Sequence, residues 1–152
     1  MSQFDLAGEA LTGYRYPRPV PEGLREFWDS TLQQSRAAGG GSLLSTEPAD
    51  TPMTAFDVHD VSFGGFDGGP IRAWWTAPRG LDRPAPVVVE YIGYGGGRGL
   101  PHEKLFFPSL GVNHLVVDTR GQGSVWSVGA TPDPHGSGPA APGYLTRGID
   151  DP

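Results

Sequence analysis

The most restrictive feature of this sequence is a pair of apolar segments that each run directly into a glycine-rich loop. The first is "VVVEYIGYGGGRGLPHE" (87–103), and the second is "VNHLVVDTRGQG" (112–123). Three consecutive valines are typical of a strand buried on both faces, as in a parallel sheet. Pro101 suits the first turn of a helix between the two strands, which Pro108 would end or kink early. The pattern predicts a βαβ unit, whose right-handed crossover places both glycine loops at the carboxyl edge of the sheet, where ligands bind in α/β proteins.

The segment before this unit predicts an extended arm, one helix and a β-hairpin. Prolines in "YRYPRPVP" (14–21) favour the arm, and the apolar residues of "LREFWDSTL" (24–32) share one helical face ahead of the stop "GGGS". Residues 39–54 have the pattern of a linker. Apolar residues alternate, with one break in phase, in "AFDVHDVSFGGF" (55–66), and a second strand follows in "GGPIRAWWTAP" (68–78). The predicted fold class is α/β with a mostly parallel sheet.

Length and charge limit the possible classes of protein. A chain of 152 residues is long enough for one domain with its own core and short for two. Its 11 Lys and Arg against 17 Asp and Glu give a net charge of −6, so nothing in the charge favours nucleic acid or an anionic membrane surface as a partner. The N-terminus lacks the pattern of a signal peptide, and no segment approaches a membrane span. A cytoplasmic protein is therefore expected.

Metal and thiol chemistry find no support in the composition. The absence of cysteine excludes disulfides, thiol catalysis and Cys-ligated zinc. The four histidines show no pairing at metal-ligand spacing, and each is expected on the surface or in a loop. They are His59, His102, His114 and His135. We predict no metal and no cofactor.

The first glycine loop has three possible interpretations. A phosphate-binding loop would need G-x-G-x-x-G, but the pattern that starts at Gly93 meets Arg98 at its third glycine, and the Walker pattern lacks G-K-[ST]. In favour of a dinucleotide site, Asp118 ends the next strand about twenty residues on, where such folds keep a ribose-binding acid. The second interpretation is one side of an oxyanion hole, in which glycines let the main chain approach a substrate closely. The third is a surface turn without a ligand.

A family resemblance covers nearly the whole chain. The segments "YRYPRPVPEGLREFW", "GYGGGRGLPHE", "DTRGQGS", "TPDP" and "GYLTRGIDDP" occur in the order that they take in carbohydrate esterase family seven, the acetyl xylan esterases and cephalosporin C deacetylases. The chain resembles that family, with a departure at Ile92, where many members have His. The resemblance implies an α/β-hydrolase fold, a Ser-His-Asp mechanism, deacetylation of short xylo-oligosaccharides and of cephalosporin C, and a homo-oligomer in the form of a hexamer.

The family's nucleophile motif is missing from this sequence. No G-x-S-x-G occurs in it, and in members of the family the Ser, Asp and His follow the position at which this chain stops. We therefore expect the amino-terminal half of an esterase, with residues 1–50 as arm, helix and linker and residues 51–152 as the first half of the α/β-hydrolase domain. Such a half is expected to be inactive alone and to need a companion chain or a C-terminal half that carries the triad. An inactive remnant and a nucleotide-binding module are the alternatives.

The candidate site residues lie on the two glycine loops. Tyr94 is expected to donate its backbone N–H to the oxygen that becomes negative in the transition state, and Gly95 is expected beside the substrate. Arg120 and Gln122 of the second loop are the other substrate-binding candidates, although Arg120 would equally serve to brace neighbouring loops. The tryptophans at 74–75 either stack on a sugar or pack in the core.

Overall fold

The computed structural model describes residue 6, residues 8–81 and residues 84–133. The chain divides into two compact units, residues 1–32 and residues 33–152. The helices are α1 (Glu9–Gly13), α2 (Leu24–Ala37) and α3 (Phe106–Ser109), with 3₁₀ turns at Phe66–Gly68 and Pro101–Glu103. The strands are β1 (Leu43–Pro48), β2 (Phe56–Gly64), β3 (Pro70–Pro78), β4 (Val87–Tyr91) and β5 (Asn113–Val117).

Helix α2 confirms the predicted amphipathic helix. It begins at Leu24 and ends at Ala37, just ahead of the glycines that were expected to stop it. Phe27 and Trp28 meet edge to face, with ring centroids 5.5 Å apart, and both side chains are about half exposed. No helix within the described residues is long and apolar enough to cross a membrane.

The five strands form one mixed sheet in the order β1-β2-β3-β5-β4. Strands β2 and β3 form the predicted hairpin, with Phe56 opposite Pro78 and Gly64 opposite Pro70. Strand β5 is antiparallel to β3 and parallel to β4. The prediction of a mostly parallel sheet is wrong for these strands, because β4–β5 is the one parallel pair among those described.

The prediction of a linker over residues 39–54 is also wrong, because β1 lies inside it. Residues 43–48 pair with β2 in an antiparallel ladder, although every residue of β1 is exposed. A strand exposed on both faces needs no alternation of apolar residues, since its backbone hydrogen bonds to β2 hold it in place. The hydrophobic pattern therefore carried no signal for it.

The βαβ unit is confirmed, with a shorter helical connection than predicted. Strands β4 and β5 run parallel from Val87 opposite Asn113 to Tyr91 opposite Val117. Between them lie the 3₁₀ turn at Pro101–Glu103 and the four-residue α3. Pro108 falls in the first turn of α3, where a missing N–H leaves no helical hydrogen bond unmade.

Strand β4 is an edge strand, which contradicts the expected burial of its valines on both faces. The exposed fractions of Val87 and Val89 are 47% and 46%, and that of Tyr91 is 78%. Strand β5, which has a neighbour on each side, is the buried one: Val116 and Val117 are buried. Within the described residues, no strand pairs with the outer edge of β4. This arrangement agrees with the expectation that the Val-rich edge is unpaired in this chain.

Candidate functional site

Two loops leave the carboxyl ends of the parallel strands and hydrogen-bond to each other. We call residues 92–100 the first loop and residues 118–131 the second loop. The N–H of Gly97 donates to the carbonyl of Ser127 (3.0 Å), and the N–H of Gly99 donates to the carbonyl of Val128 (2.9 Å). The hydroxyl of Ser127 donates back to the carbonyl of Gly97 (2.7 Å). The sequence prediction that both glycine loops meet at one sheet edge is confirmed.

The buried carboxylate of Asp118 fastens the two loops together. Its Oδ1 accepts the N–H of Arg98 (2.9 Å) and that of Thr119 (3.0 Å), and its Oδ2 accepts the N–H of Ala130 (2.6 Å). Only 3% of Asp118 is exposed. A ribose-binding acid needs an oxygen that faces the ligand. The geometry of Asp118 therefore disfavours a nucleotide site.

Tyr94, Gly95 and Gln122, three of the predicted site residues, lie close together, and their role in binding substrate stays a prediction. The side-chain Oε1 of Gln122 accepts the N–H of Gly95 at 2.5 Å, across 27 residues of sequence. Gly95 has a positive φ of 77°, a conformation that favours glycine. The residue Tyr94 is 74% exposed. The amide of Gln122 thus fixes the peptide between Tyr94 and Gly95.

Arg120 makes the bracing contact that was one of its two predicted roles. Its Nε lies 3.2 Å from Oδ2 of Asp133, whose side chain is 1% exposed, while 20% of the Arg120 side chain is exposed. Because an arginine presents several N–H groups in a fixed fork, the rest of its guanidinium is still able to bond other groups. The ion pair ties the start of the second loop to the segment that follows it.

The glycines of the first loop fall into two groups. A Cβ on Gly97 would lie 2.3 Å from the backbone of Gly129, and one on Gly96 would lie 2.8 Å from the side chain of Ile92. A Cβ on Gly93 or Gly95 would meet no described atom within 4 Å. Gly97 is therefore needed where the two loops pack, and Gly96 is needed where the first loop folds against Ile92. The earlier ones, on either side of Tyr94, border open space.

Arg98 anchors the first loop to the hairpin. Its Nη1 and Nη2 donate to the two carboxylate oxygens of Asp60 at 2.7 and 3.0 Å, and Nη1 also donates to the carbonyl of Ala73 at 2.9 Å. The guanidinium carbon lies 3.7 Å from the ring centroid of Trp74, close enough for a cation–π interaction. Trp74 in turn donates its Nε1–H to the carbonyl of Gly99 (2.9 Å). Trp74 is thus packed against the first loop, and its stacking on a sugar stays a prediction.

Sequence reasoning missed this anchor. The alternation of apolar residues in β2 breaks at His59 and Asp60, so that a carboxylate stands where the strand pattern predicts an apolar residue. This break was a signal of a buried partner for Asp60. An arginine within a run of glycines is the complementary signal. Pairing Asp60 with Arg98 required the topology, because 38 residues separate the two in sequence.

Asp60 remains ionised because two arginines share it. The Nε of Arg72 also donates to Oδ1 of Asp60, at 3.1 Å. Burial by itself raises the pKa of Asp60, but the hydrogen bonds and positive charges of Arg98 and Arg72 outweigh burial and hold the pKa below its ordinary value. The site beneath the first loop is therefore a compact ion cluster at neutral pH.

A cavity lies beside this cluster. It has a volume of about 510 Å³, and its lining includes Asp60, Arg72, Trp74 and His102. Tyr94, Gly95 and Gln122 do not line it. A smaller cavity of about 250 Å³ borders Gln122 and residues 129–132. Cavity volume would therefore place the functional site away from the glycine loops, whereas the hydrogen bonds between the loops favour a site there.

The three histidines within the described residues lie on different elements of the fold. His114 is buried on β5, with its Nε2 3.1 Å from Oε2 of Glu90, so its expected surface position is wrong. His59 lies on β2 and His102 in the second 3₁₀ turn, while His135 lies outside the described residues. Within the described part of the chain, no group of three or more His, Asp or Glu residues has the arrangement of a metal site.

A mixed sheet with a parallel βαβ unit and paired loops at its carboxyl edge defines an α/β protein. Its solved relatives, given below, make the fold one of the α/β-hydrolase type. The family model described as acetyl xylan esterase (AXE1) matches residues 1–152, so the chain belongs to the acetyl xylan esterase family. This finding confirms the resemblance stated from the sequence motifs.

Two solved structures agree with this assignment. An acetyl xylan esterase from Paenibacillus sp. R4 is 32% identical, with a TM-score of 0.68, and the match covers 86% of this chain and 40% of that protein. Acetyl xylan esterase 1 from Thermoanaerobacterium sp. JW/SL YS485 is 26% identical, with a TM-score of 0.73, and the match covers 97% of this chain and 44% of that protein. The chain thus spans less than half the length of these relatives.

The glycine groups can be tested by substitution in a full-length protein, meaning a polypeptide that contains this chain and has the length of its relatives. Gly97→Ala is expected to destabilise it by about 1–3 kcal/mol, because the new Cβ forces the two loops apart. Gly93→Ala is the matched control and should change stability by less than about 0.5 kcal/mol. Denaturant unfolding of both variants measures the difference, and equal effects would contradict the division of the glycines.

The ion cluster predicts a pH-dependent stability. Because the folded-state pKa of Asp60 is lowered, its contribution is fully present above its unfolded-state pKa of about 4 and is lost as the pH falls through the folded-state pKa. Asp60→Asn should therefore lower the Tm of the full-length protein at pH 7. The difference in Tm between the variant and the parent should become smaller below about pH 4. Asp57→Asn, at an exposed ion pair with Arg79, is the control and should have little effect. A Tm difference between Asp60→Asn and the parent that stays constant from pH 7 to about pH 3 would contradict a lowered pKa of Asp60.

Proposed function

We propose that this chain supplies the first half of a serine carboxylesterase, which removes acetyl groups from small O-acetylated substrates such as xylo-oligosaccharides and cephalosporin C. In this proposal the first loop forms one side of the oxyanion hole. Membership of the acetyl xylan esterase family supports the reaction class. The open space beside Gly93 and Gly95, which flank Tyr94, is the observation that supports the loop's role.

The proposed chemistry assigns Tyr94 to charge stabilisation. A serine hydroxyl attacks the acetyl carbonyl, and the carbonyl oxygen becomes negative in the tetrahedral intermediate. The backbone N–H of Tyr94 then donates to that oxygen. A donor that is fixed before the reaction requires no reorganisation as the charge develops. The hydrogen bonds of the first loop to Gln122 and to the second loop support such preorganisation.

The serine, histidine and aspartate are proposed to come from a further segment that packs against β4. This edge strand exposes Val87, Val89 and Tyr91, and the second loop exposes Val125 and Trp126. Apolar surface of this kind at an unpaired strand edge favours association with more polypeptide. The span of 40% and 44% of the solved relatives is consistent with a missing segment. A homo-oligomer and a cytoplasmic location stay predictions.

Two substitutions at one position test the role of Tyr94 in the full-length protein. Tyr94→Pro removes the backbone N–H and should lower kcat for p-nitrophenyl acetate by about 10²–10³, as loss of one oxyanion donor does elsewhere. Tyr94→Ala keeps the N–H and is the matched control, with a clearly smaller effect on kcat. Circular dichroism and unfolding curves establish that both variants fold.

Two outcomes separate the alternatives. A folded Tyr94→Pro variant that retains the parental kcat would overturn the oxyanion assignment while leaving the esterase intact. A folded parent that does not hydrolyse acetyl esters would overturn the proposed activity and favour the inactive remnant.

A further inference from the structure

We propose that Arg98 is a positioning residue for the esterase reaction, holding the first loop so that the Tyr94 N–H meets the substrate oxygen. This inference rests on the proposed function. Arg98 lies four residues beyond Tyr94 and 4% of it is exposed, so we assign it no contact with the substrate. We call Arg98, Asp60 and Trp74 the Arg98 anchor.

The composition of the loop gives Arg98 a role that no neighbour can share. Residues 95–99 read Gly-Gly-Gly-Arg-Gly, so Arg98 carries the stretch's one side chain beyond hydrogen. Glycine loses more backbone freedom on folding than any other residue, and a run of glycines is correspondingly hard to hold in one conformation. Any side-chain contact made by this stretch must therefore pass through Arg98.

The Arg98 anchor ties the first loop to the β2–β3 hairpin, and the second loop holds it through backbone hydrogen bonds. The guanidinium binds Asp60 through both carboxylate oxygens and lies on the ring of Trp74. The backbone N–H of Arg98 is held by Asp118, and the next carbonyl, of Gly99, accepts the indole N–H of Trp74. Asp60 and Trp74 thus hold the side chain, Asp118 holds the N–H, and Trp74 also holds the carbonyl of Gly99. Release of residue 98 would leave the glycines between it and Tyr94 less restrained.

The chemistry of the anchor requires arginine rather than a positive charge alone. Two nitrogens bond the Asp60 carboxylate side by side, one of them also bonds the carbonyl of Ala73, and the flat face stacks on Trp74. A lysine ammonium cannot reproduce the paired geometry or the stacking. Arg98→Lys therefore keeps the charge opposite Asp60 but loses the positional restraint.

Arg72 offers a matched control in the same ion cluster. It also bonds the Asp60 carboxylate, but it lies on β3, outside the first loop, and its side chain is 41% exposed. Removing the Arg72 contact weakens the cluster without freeing the loop. Substitution of either arginine would lower the stability of the protein, whereas only substitution of Arg98 is expected to misplace the first loop.

The test compares Arg98→Lys with Arg72→Lys in the full-length protein. For p-nitrophenyl acetate, we expect Arg98→Lys to lower kcat by about 10- to 100-fold, less than complete loss of an oxyanion donor, with KM changed by less than about threefold. Inhibition by phenylboronic acid, which forms a tetrahedral oxyanion on the nucleophile, should weaken by a similar factor. Arg72→Lys should keep kcat and boronate inhibition within about twofold of the parent, even if its Tm falls.

Several results would overturn the inference. An active parent whose folded Arg98→Lys variant retains its kcat overturns the positioning role alone, and so does an equal loss of kcat in both variants. An inactive parent overturns the proposed function and the inference with it. If Arg98→Lys fails to fold, Asp60→Asn replaces it, since it weakens the same anchor; an unchanged kcat in that folded variant also overturns the role.

Discussion

The bidentate ion pair between Arg98 and Asp60 is the interaction on which the candidate site depends. It joins the first loop, in which five of nine residues are glycine, to the β-hairpin. The pair is largely buried, since 5% of the Arg98 side chain and 20% of the Asp60 side chain are exposed. Breaking a buried pair by removing one partner is costly, because the remaining charge is left without compensation. Arg72 and Trp74 complete the surroundings of the pair, one as a second cation on the carboxylate and one as a stacking surface.

The loop above this pair combines two properties that an oxyanion site needs. Its later part is packed so closely against the second loop that Gly97 has no room for a Cβ, while its earlier part, around Tyr94, borders open space. A main-chain donor must be both accessible and unable to move if it is to stabilise developing charge. The hydrogen bond from the N–H of Gly95 to the side chain of Gln122 ties this open part to the second loop.

Local sequence patterns predicted the helices and strands whose apolar residues repeat regularly. They failed where the structure depends on pairing between residues far apart in sequence. Helix α2, the hairpin and the βαβ unit follow from apolar spacing and from the positions of glycine and proline. Strand β1 was missed because it is exposed on both faces, and β4 was predicted as buried because consecutive valines do not reveal a sheet edge. For the site, motif spacing brought Tyr94, Gly95 and Gln122 to one edge. The Arg98 anchor depends on partners 24 and more residues away, which no local pattern encodes.

We propose that the main chain of Tyr94 binds the oxygen that becomes negative during deacetylation. The most direct measurement is a crystal structure of the full-length protein after covalent reaction with diethyl p-nitrophenyl phosphate, whose tetrahedral phosphorus adduct resembles the intermediate. We expect a phosphoryl oxygen about 2.7–3.1 Å from the nitrogen of Tyr94, with Arg98 still paired to Asp60. An adduct whose phosphoryl oxygen is bound by other groups, with the first loop out of reach, would contradict it.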